Sequence, residues 1–535
     1  MATDNEVAVS HPTGEAEIAL REAPDEGSAV DTYGGKIRVK WDEEAAVTPF
    51  GQLVFFIEFL KTAGLWEWWV EECPVTYKSP NAPIKADVLG TILLSVLAGH
   101  CRYAHVTALR FDGVNPQLLG MSKVCSEDSV RRAFSDVEES ACTAWLTRHL
   151  RNSYEPLLRE PWILDIDTTV KPLYGHQEGA VKGYNPGKRG RPSHAYHTYF
   201  AANVRLVLDV EVQAGNQTAS SYAQPELWKF IRSLPLAARP AFLRGDCGWG
   251  TEKMMTEAEE QKIPYLFKLK QTSKVKQLIQ QAFSREDWTE AGQGWKGVEA
   301  KLRLTGWSCE RRVIVLRRRI REEMVLAERK RLAGNTSQEQ LALGFVETLK
   351  DGPLYEYAVL VTTLPDEILA LAQHYRDRAD AENNFDELKN QWGWSGFTTH
   401  DLKRCQIMAR IIALIYNWWS LFVRLAIPEK HAEAITSRPL LLNAVGKQTT
   451  HGGQDTITVT SMHAKAPQMR AALQFITSFL ATVRNAAEQL TYPQKWLRIL
   501  SQVFFRFLKG RQLSQPQFIP GFLRSTPPLR PERLH

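Results

Sequence analysis

Residues 375–389 read YRDRADAENNFDELK, a stretch that contains Tyr375, Arg378, Glu382 and Lys389 at steps of three, four and seven residues. On a helix these steps put the four side chains on roughly one face, so the stretch predicts a helix. One acid flanked by two cations and an aromatic ring is a poor pattern for a packed core. It is typical of a site that holds a metal ion beside a polyanion.

Two further acids follow short apolar runs upstream. Asp167 lies in PWILDIDTTVKPLYG and Asp246 lies in RPAFLRGDCGWG. Both are predicted at the C-terminal end of a buried strand, where open α/β sheets keep their sites. Asp165 would point to the same side of its strand as Asp167, so it is an alternative for the first acid. Carboxylates are the ligands that Mg²⁺ prefers, and two such ions assist in-line phosphoryl displacement.

The three acidic blocks resemble those of bacterial insertion-sequence transposases of the DDE class. In that group the third acid lies in the pattern Tyr-x2-Arg-x3-Glu-x6-Lys, and Asp167 stands with Thr168 and Thr169 as the first acid does in the group. The resemblance covers roughly residues 50 to 510. It also includes the strings KGYNPGKRGRPSH (182–194), AGNQTASS (214–221) and SRPLLLNAVGKQTTHGG (437–453).

This resemblance implies an α/β fold with an RNase H-like catalytic core and an inserted β-subdomain. It implies that Asp167, Asp246 and Glu382 are the catalytic residues and the ligands of Mg²⁺, for which Mn²⁺ can substitute. The expected partners are double-stranded DNA, as terminal inverted repeats and as target, and a second copy of the chain in a synaptic homodimer. Cleavage and strand transfer follow a cut-and-paste route, with or without a hairpin intermediate.

Several basic and aromatic side chains are predicted to contact DNA. Arg378 and Lys389 would hold phosphates near the scissile bond, because Arg grips two oxygens and Lys acts as a point charge. Tyr375 would contact a phosphate or a displaced base, with a half-buried core tyrosine as its alternative. Other candidates are Lys188, Arg189 and Arg191 in a glycine-rich loop and Arg131 and Arg132 on a helix that fits either a helix-turn-helix or an ordinary bundle.

An aromatic residue in the insertion is needed if the route passes through a hairpin, because related transposases stack a flipped base there. Tyr357 is the candidate, with Trp295 and Trp307 as alternatives, and a place in the core is the competing interpretation for all three. No Gly-x4-Gly-Lys-Ser/Thr string is present, so no nucleotide cofactor is expected.

The periodicity predicts several regions in a chain too long for one core. They are an acidic, disordered tail (1–45), a helical DNA-binding region (46–157), the first part of the core (158–270), a β-rich insertion (271–365), the second part of the core (366–428) and a helical C-terminal region (429–535). The family resemblance implies that the C-terminal region contacts DNA and the partner subunit. The third acid is expected on one helix from about residue 369 to 389. Residues 407–426 are the most hydrophobic stretch, but Arg410, Asn417 and Arg424 interrupt it, which favours a buried helix over a membrane span.

Composition agrees with a DNA partner. The net charge is +6, and cations cluster at 182–191, 301–331 and from Lys495 onward, which suits an anionic partner. The seven cysteines are scattered without a Cys-x2-Cys pair, so a reducing compartment and no zinc finger are expected. No signal peptide is recognisable, and the expected location is the bacterial cytoplasm, at the nucleoid when DNA is bound.

Two rival functions use the same residues. A plain metal-dependent nuclease would cleave with these acids but would not join strands. A transposase-derived DNA-binding protein would usually have lost an acid, and this sequence keeps all three.

Overall fold

The structure is a computed structural model that describes residues 27–77, 79, 81–185, 187–217, 222–319, 355–460 and 463–509, with the backbone of two short strands at 517–519 and 522–524. The chain divides into two compact units, residues 1–46 and 47–535. In the first unit an antiparallel hairpin joins β1 (Ser28–Thr32) to β2 (Gly35–Val39), and all of its residues are exposed. This hairpin differs from the unstructured tail predicted for residues 1–45, of which residues 1–26 lie outside the described part of the chain.

The second unit is a mixed α/β fold. Its strands are β3 (Val47–Thr48), β4 (Ile163–Pro172), β5 (Val181–Lys182), β6 (Pro192–Ala201), β7 (Leu206–Ala214), β8 (Phe242–Gly245), β9 (Tyr265–Lys268), β10 (Thr289–Gly292), β11 (Trp295–Leu302), β12 (Arg311–Arg319), β13 (Tyr355–Thr362), β14 (Val445–His451), β15 (Gln454–Thr460), β16 (Gln517–Ile519) and β17 (Phe522–Arg524). Its helices are α1 (Leu53–Ala63), α2 (Leu65–Glu71), α3 (Lys85–Leu97), α4 (Asn115–Leu118), α5 (Glu127–Arg132), α6 (Glu139–Tyr154), α7 (Gln224–Ser233), α8 (Glu252–Glu260), α9 (Ser273–Phe283), α10 (Ile368–Arg376), α11 (Ala379–Asn390), α12 (Leu402–Ala426), α13 (Ala434–Leu441), α14 (Ala466–Arg484) and α15 (Tyr492–Val503).

A ten-stranded sheet forms the centre, in the order β10-β11-β12-β13-β9-β8-β4-β6-β5, with β7 paired to β6. The strands β4, β6 and β7 follow one another in antiparallel pairs. Helix α7 then leads to β8, and helix α8 leads to β9, both parallel to β4. Such parallel neighbours need crossover connections, which these two helices provide.

The predicted β-rich insertion is not a separate sheet among the described residues. Its strands β10 to β13 form antiparallel pairs, and β13 joins β9 through the pairs Leu360–Lys268 and Val361–Phe267. The insertion therefore widens the central sheet. The middle of this region, residues 320–354, lies outside the described part of the chain.

The C-terminal region also contains strands that the sequence analysis assigned to helices. Strands β14 and β15 form a hairpin, and β14 pairs with β3 near residue 47, so the C-terminal region contacts the start of the second unit. The helices α14 and α15 follow, as their amphipathic spacing predicts.

The most hydrophobic stretch forms the buried helix α12, which is long and apolar enough to cross a membrane but is enclosed by the fold. Its polar side chains form hydrogen bonds with the backbone at the outer edge of β7. Asn417 accepts from the Val207 amide at 2.9 Å and donates to the Val207 carbonyl at 2.8 Å, and Gln406 donates to the Val210 carbonyl at 2.8 Å. A strand edge buried in the core needs such partners, because unpaired backbone groups are costly there.

Arg410 on the same helix pairs with Asp209 of β7 at 2.8 and 3.2 Å, and both side chains are buried. We expect Arg410→Ala to lower the free energy of unfolding by about 3 to 5 kcal/mol, because it leaves a buried carboxylate without its counter-charge. Burial and the neighbouring Asp209 already raise the pKa of Glu211 to about 7. Urea unfolding measures the change.

The control is Arg506→Ala, which removes an ion pair with Glu429 in which both side chains are more than half exposed. We expect this change to cost less than about 1 kcal/mol. Equal losses in the two variants would show that the pair on α12 does not stabilise the fold.

Candidate active site

The first two acids occupy neighbouring strands at the same level of the sheet. The parallel register of β4 and β8 ends at the pair Ile166–Gly245, and the next residue on each strand is an acid, Asp167 and Asp246. Asp246 directly follows its strand, as predicted. Asp167 differs, because β4 continues to Pro172 along its antiparallel partner β6, where Asp167 faces Thr198.

A tight turn orients the second acid. The Asp246 carboxylate accepts a hydrogen bond from the Gly248 amide at 2.8 Å, and its carbonyl accepts from the Trp249 amide at 3.1 Å. A Cβ atom at Gly245 would lie 3.0 Å from the Cβ of Trp249, so the turn leaves little room for a side chain there. The Gly-Asp-Cys-Gly string therefore encodes a turn that holds Asp246 at the strand end.

The third acid lies on the second of two helices, and the single helix predicted from residue 369 to 389 is wrong. Helix α10 ends at Arg376 and α11 starts at Ala379, with Arg378 as its N-cap residue. The two helices pack in different apolar clusters: Leu371 of α10 lies in the smaller cluster, and Phe385 of α11 lies in the larger one. A break between them lets each helix follow its own packing surface.

Arg378 joins the first and third acids. Its Nη1 donates to Glu382 Oε1 at 3.0 Å, and its Nη2 donates to Asp167 Oδ2. The arginine side chain is 9% exposed and that of Asp167 is 14% exposed, whereas Glu382 is 66% exposed. One guanidinium thus holds an inner carboxylate of the sheet and an outer carboxylate of the helix.

Asp246, Tyr375 and Lys389 each interact electrostatically with Asp167 or Arg378. Burial raises the pKa of Asp167 to about 6; Arg378 opposes this rise, and the negative charges of Asp246 and Glu382 add to it. Burial also raises the pKa of Tyr375, which Arg378 opposes and Asp246 increases. Burial lowers the pKa of Lys389, whereas Asp386 and Asp167 raise it.

Asp165, the alternative first acid, has a different partner. Arg244 of β8 binds its carboxylate through both Nε and Nη2, with Nη2 at 2.6 Å from Oδ2, and also donates to the His374 carbonyl of α10. Both side chains are almost completely buried. This pair ties β4, β8 and α10 together, so the structure gives Asp165 a place in the framework behind the site.

Two other acids of α11, Asp386 and Glu387, also have partners other than Arg378. Asp386 is exposed and accepts from Asn390 at 2.7 Å. Glu387 is buried and binds His431 at 2.7 Å, the Trp392 indole at 3.0 Å and the Ala434 amide at 3.0 Å. These contacts attach α11 to the segment before α13.

The donor set suits a divalent cation in its chemistry. The negative charges of Asp246 and Glu382 act on Asp167, and Arg378 supplies the compensating positive charge. Within the residues that the structure describes, no group of three His, Cys, Asp or Glu side chains is close enough to hold a metal ion. A divalent ion held by Asp167 and Glu382 would take the place of Arg378, which now binds both carboxylates.

The predicted loop cations surround a tyrosine that the sequence analysis did not single out. The Lys188 ammonium donates to the Tyr174 hydroxyl and lies 4.9 Å from its ring centroid, and the Arg191 guanidinium lies 4.6 Å from the same centroid. Tyr174 is 65% exposed. Arg189 lies on the same exposed loop. The sequence alone does not show which aromatic ring the loop cations contact, because that contact depends on the conformation of the loop.

The predicted helical cations Arg131 and Arg132 form the end of α5, which starts at the capping residue Ser126. Arg131 pairs with Glu127 and Asp128, and Arg132 pairs with Asp128 at 3.7 Å. Acids of the same helix thus balance both cations. A helix-turn-helix role for this region stays a prediction.

The three aromatic candidates of the insertion differ in accessibility. Tyr357 is 1% exposed and Trp307 is 7% exposed, so both are core residues in this structure. Trp295 is half-buried, and the Arg318 guanidinium lies 4.9 Å from its ring. Among the three, Trp295 is therefore the one whose ring is partly accessible.

Comparison with known proteins identifies the family of the chain. No curated protein matches the chain. Among solved structures, a cryo-EM structure of a piggyBac transposase synaptic complex with hairpin DNA aligns with 86% of this chain and 88% of its own, at 9% identity and a TM-score of 0.35. The family model described as transposase DDE domain group 1 matches residues 84–479, which is well over half of the chain and includes all three acids. The chain therefore belongs to the DDE transposase family, domain group 1.

Proposed function

We propose that this chain cleaves DNA at the ends of an insertion sequence and transfers the freed strands to target DNA in a cut-and-paste reaction. The observation that carries the proposal is that Arg378 bridges Asp167 and Glu382, while Asp246 follows β8 in register with Asp167 on β4. The strand order β7-β6-β4-β8-β9, with three antiparallel strands followed by two parallel ones, supports an RNase H-like core.

Asp167, Asp246 and Glu382 are the residues that would hold Mg²⁺, or Mn²⁺ in its place. When bound, these ions polarise the phosphoryl oxygens and balance the charge on the attacking and leaving oxygens. Asp167 and Asp246 follow the same register on adjacent strands, so the sheet itself fixes their separation. Glu382, which is mostly exposed, supplies the adjustable ligand.

The surrounding side chains position the DNA. Arg378 and Lys389 lie within the field of Asp167, where each can hold a phosphate oxygen next to the scissile bond. Tyr375 is half-buried near the end of α10, and the charges of Arg378 and Asp246 both act on its pKa. Its position suits a contact with the phosphate or with a displaced base.

The chemistry needs two displacements at phosphorus. Water attacks the phosphodiester at the element's end, and the bond from phosphorus to the 3′ oxygen breaks, which leaves a free 3′-hydroxyl. That hydroxyl then attacks a target phosphodiester, or first the opposite strand in a hairpin route, and another 3′ oxygen leaves. Each transfer exchanges one phosphodiester bond for another, so no nucleotide cofactor is required. Two ends have to be cut together, which favours a homodimer on paired ends. The proposed location is the bacterial cytoplasm.

The test uses linear duplexes that carry the genomic DNA flanking the coding sequence. With Mg²⁺ we expect nicks at the boundary of the element, and with a pre-cut end and a target plasmid we expect joined product. Ca²⁺ should support binding without cleavage. Cleavage without joining would identify a plain nuclease, and binding without cleavage in Mg²⁺ and Mn²⁺ would identify a transposase-derived DNA-binding protein.

A further inference from the structure

Strands β14 and β15 form a two-stranded ribbon that extends from the body of the second unit. Each strand has seven residues, and Gly452 and Gly453 join them with φ angles of 57° and 77°. Two successive positive φ angles are typical of the tight turn whose twist matches a two-stranded hairpin. At the other end, Gly446 is buried and pairs with Thr48 of β3, which anchors the base of the ribbon.

The two faces of the ribbon differ in exposure. Directly paired residues share a face, and successive pairs alternate between faces. One face contains Gly446 and Val459, Gln448 and Ile457, and Thr450 and Asp455, and its first four residues are buried or half-buried. The other face, called the outer face below, is exposed at every position; its residues are Val445, Lys447, Thr449, His451, Gln454, Thr456, Thr458 and Thr460.

The outer face has an unusual chemistry for an exposed surface of a protein. It offers four threonine hydroxyls, one amide, one imidazole and one ammonium group, and its single apolar side chain, Val445, lies at the base. It contains no carboxylate. The one acid of the ribbon, Asp455, points to the opposite face, where it accepts a hydrogen bond from Thr450 at 2.5 Å.

These properties favour duplex DNA over a protein surface. A stable protein interface centres on apolar and aromatic side chains, which the outer face lacks. The major groove, about 12 Å wide, admits a two-stranded ribbon and presents donors, acceptors and thymine methyl groups that Thr and Gln can contact. Absence of a carboxylate from this face removes the repulsion that phosphates would otherwise cause.

We propose that the ribbon lies in the major groove of duplex DNA, with Thr449, Gln454 and Thr456 of the outer face on base edges and Lys447 next to a phosphate. This inference rests on the proposed function, since it assigns part of the DNA contact to the C-terminal region. Seven extended residues span about 23 Å, which corresponds to about seven base pairs along the axis. The ribbon would therefore read a segment of that length.

The test compares two full-length variants whose substitutions lie on opposite faces of the same ribbon. Thr449→Ala, Gln454→Ala and Thr456→Ala together change the outer face, and Thr450→Ala with Asp455→Ala change the other. The probes are the duplexes with flanking DNA at either end of the coding sequence. We expect the outer-face variant to bind about tenfold or more weakly and to lose dimethyl sulfate protection of guanine N7 over about seven base pairs. The control should stay within about twofold of the unmodified protein.

Salt dependence separates base contacts from phosphate contacts. The outer-face variant should keep the slope of log affinity against log salt, whereas Lys447→Gln should reduce it by about 0.9. Circular dichroism melting shows that each variant is folded, and a loss of folding by the outer-face variant alone would overturn the assignment of that face to DNA.

The outcomes distinguish the two proposals. Binding and cleavage that are unchanged in the outer-face variant would overturn the ribbon inference and leave the proposed function intact. Unchanged DNA affinity with a loss of dimers, measured by light scattering, would show that the face contacts a second copy instead. An unmodified protein that does not bind the flanking duplexes would overturn both proposals.

Discussion

Asp167→Asn is expected to lower the rate of strand cleavage at least about a thousandfold, while the affinity for the flanking duplex stays within about threefold. The substitution keeps the size and hydrogen-bonding capacity of the side chain but removes the negative charge at the end of the β4–β8 register. Arg378, which donates to this carboxylate and to Glu382, keeps one of its two acidic partners. Single-turnover cleavage and a binding titration measure the two effects.

The matched control is Asp165→Asn, two residues earlier on the same strand. Asp165 forms the buried bidentate pair with Arg244, so this variant should lose about 3 to 5 kcal/mol of unfolding free energy. At a temperature where it is folded, it should still cleave. The opposite pattern, with cleavage kept by Asp167→Asn and lost by folded Asp165→Asn, would make Asp165 the first ligand.

The pH dependence of stability gives an independent signature of Asp167. Its pKa is about 6 in the folded protein and about 4 in the unfolded chain, so the folded state binds the proton more tightly. The wild-type protein without metal therefore loses up to about 3 kcal/mol through this group as the pH rises from about 4 to 6, and the loss persists above pH 6. Asp167→Asn lacks this loss. The unfolding free energy of the variant minus that of the wild-type protein should therefore increase from about pH 4 to about pH 6.

The end of β8 at Asp246 was predictable from sequence because its signal is local: a short apolar run followed by an acid needs no knowledge of distant residues. The end of β4 was not, because pairing with β6 extends that strand beyond Asp167 to Pro172. The long buried helix α12, like the end of β8, was predictable because its signal is local. The roles of its polar residues were not predictable, because Asn417 and Arg410 bind a strand about 200 residues earlier in the chain.

The break between α10 and α11 shows the limit of periodicity. Steps of three and four residues persist across Asp377 and Arg378, so the pattern alone cannot locate the break. The break depends on which apolar cluster each helix joins. The ribbon of β14 and β15 was missed, although β15 alternates polar and apolar residues from Thr456 to Thr460. Its partner strand β14, with the sequence VGKQTTH, shows no such alternation.

Arg378→Gln is expected to lower strand cleavage at least about a hundredfold and, in the protein without DNA, to tighten Mn²⁺ binding about tenfold. The first effect follows from losing a cation that would hold the scissile phosphate. The second follows because Arg378 contacts Asp167 and Glu382 in the arrangement described, and a divalent ion has to displace it from both. Removing its positive charge makes the acids a stronger cation site.

Arg376→Gln is the matched control, since it removes the same charge two residues away. Arg376 donates to the Ala291 carbonyl at 2.6 Å and to Gln373 at 2.8 Å, and neither is an acid of the site. Calorimetric titration with Mn²⁺ in the absence of DNA compares both variants with the unmodified protein. Equal Mn²⁺ affinity in the two variants would show that Arg378 does not compete with the ion.

The contrast with Lys389→Gln then separates the two tasks of the cations. Asp386 raises the pKa of Lys389 more than Asp167 does, so this lysine is less closely coupled to the first acid than to its helical neighbour. We expect Lys389→Gln to weaken DNA binding and cleavage with less than about a threefold change in Mn²⁺ affinity. In the free protein Arg378 binds Asp167 and Glu382, and its positive charge compensates the buried Asp167 carboxylate. Once an ion had replaced it there, Arg378 would be available to bind a phosphate.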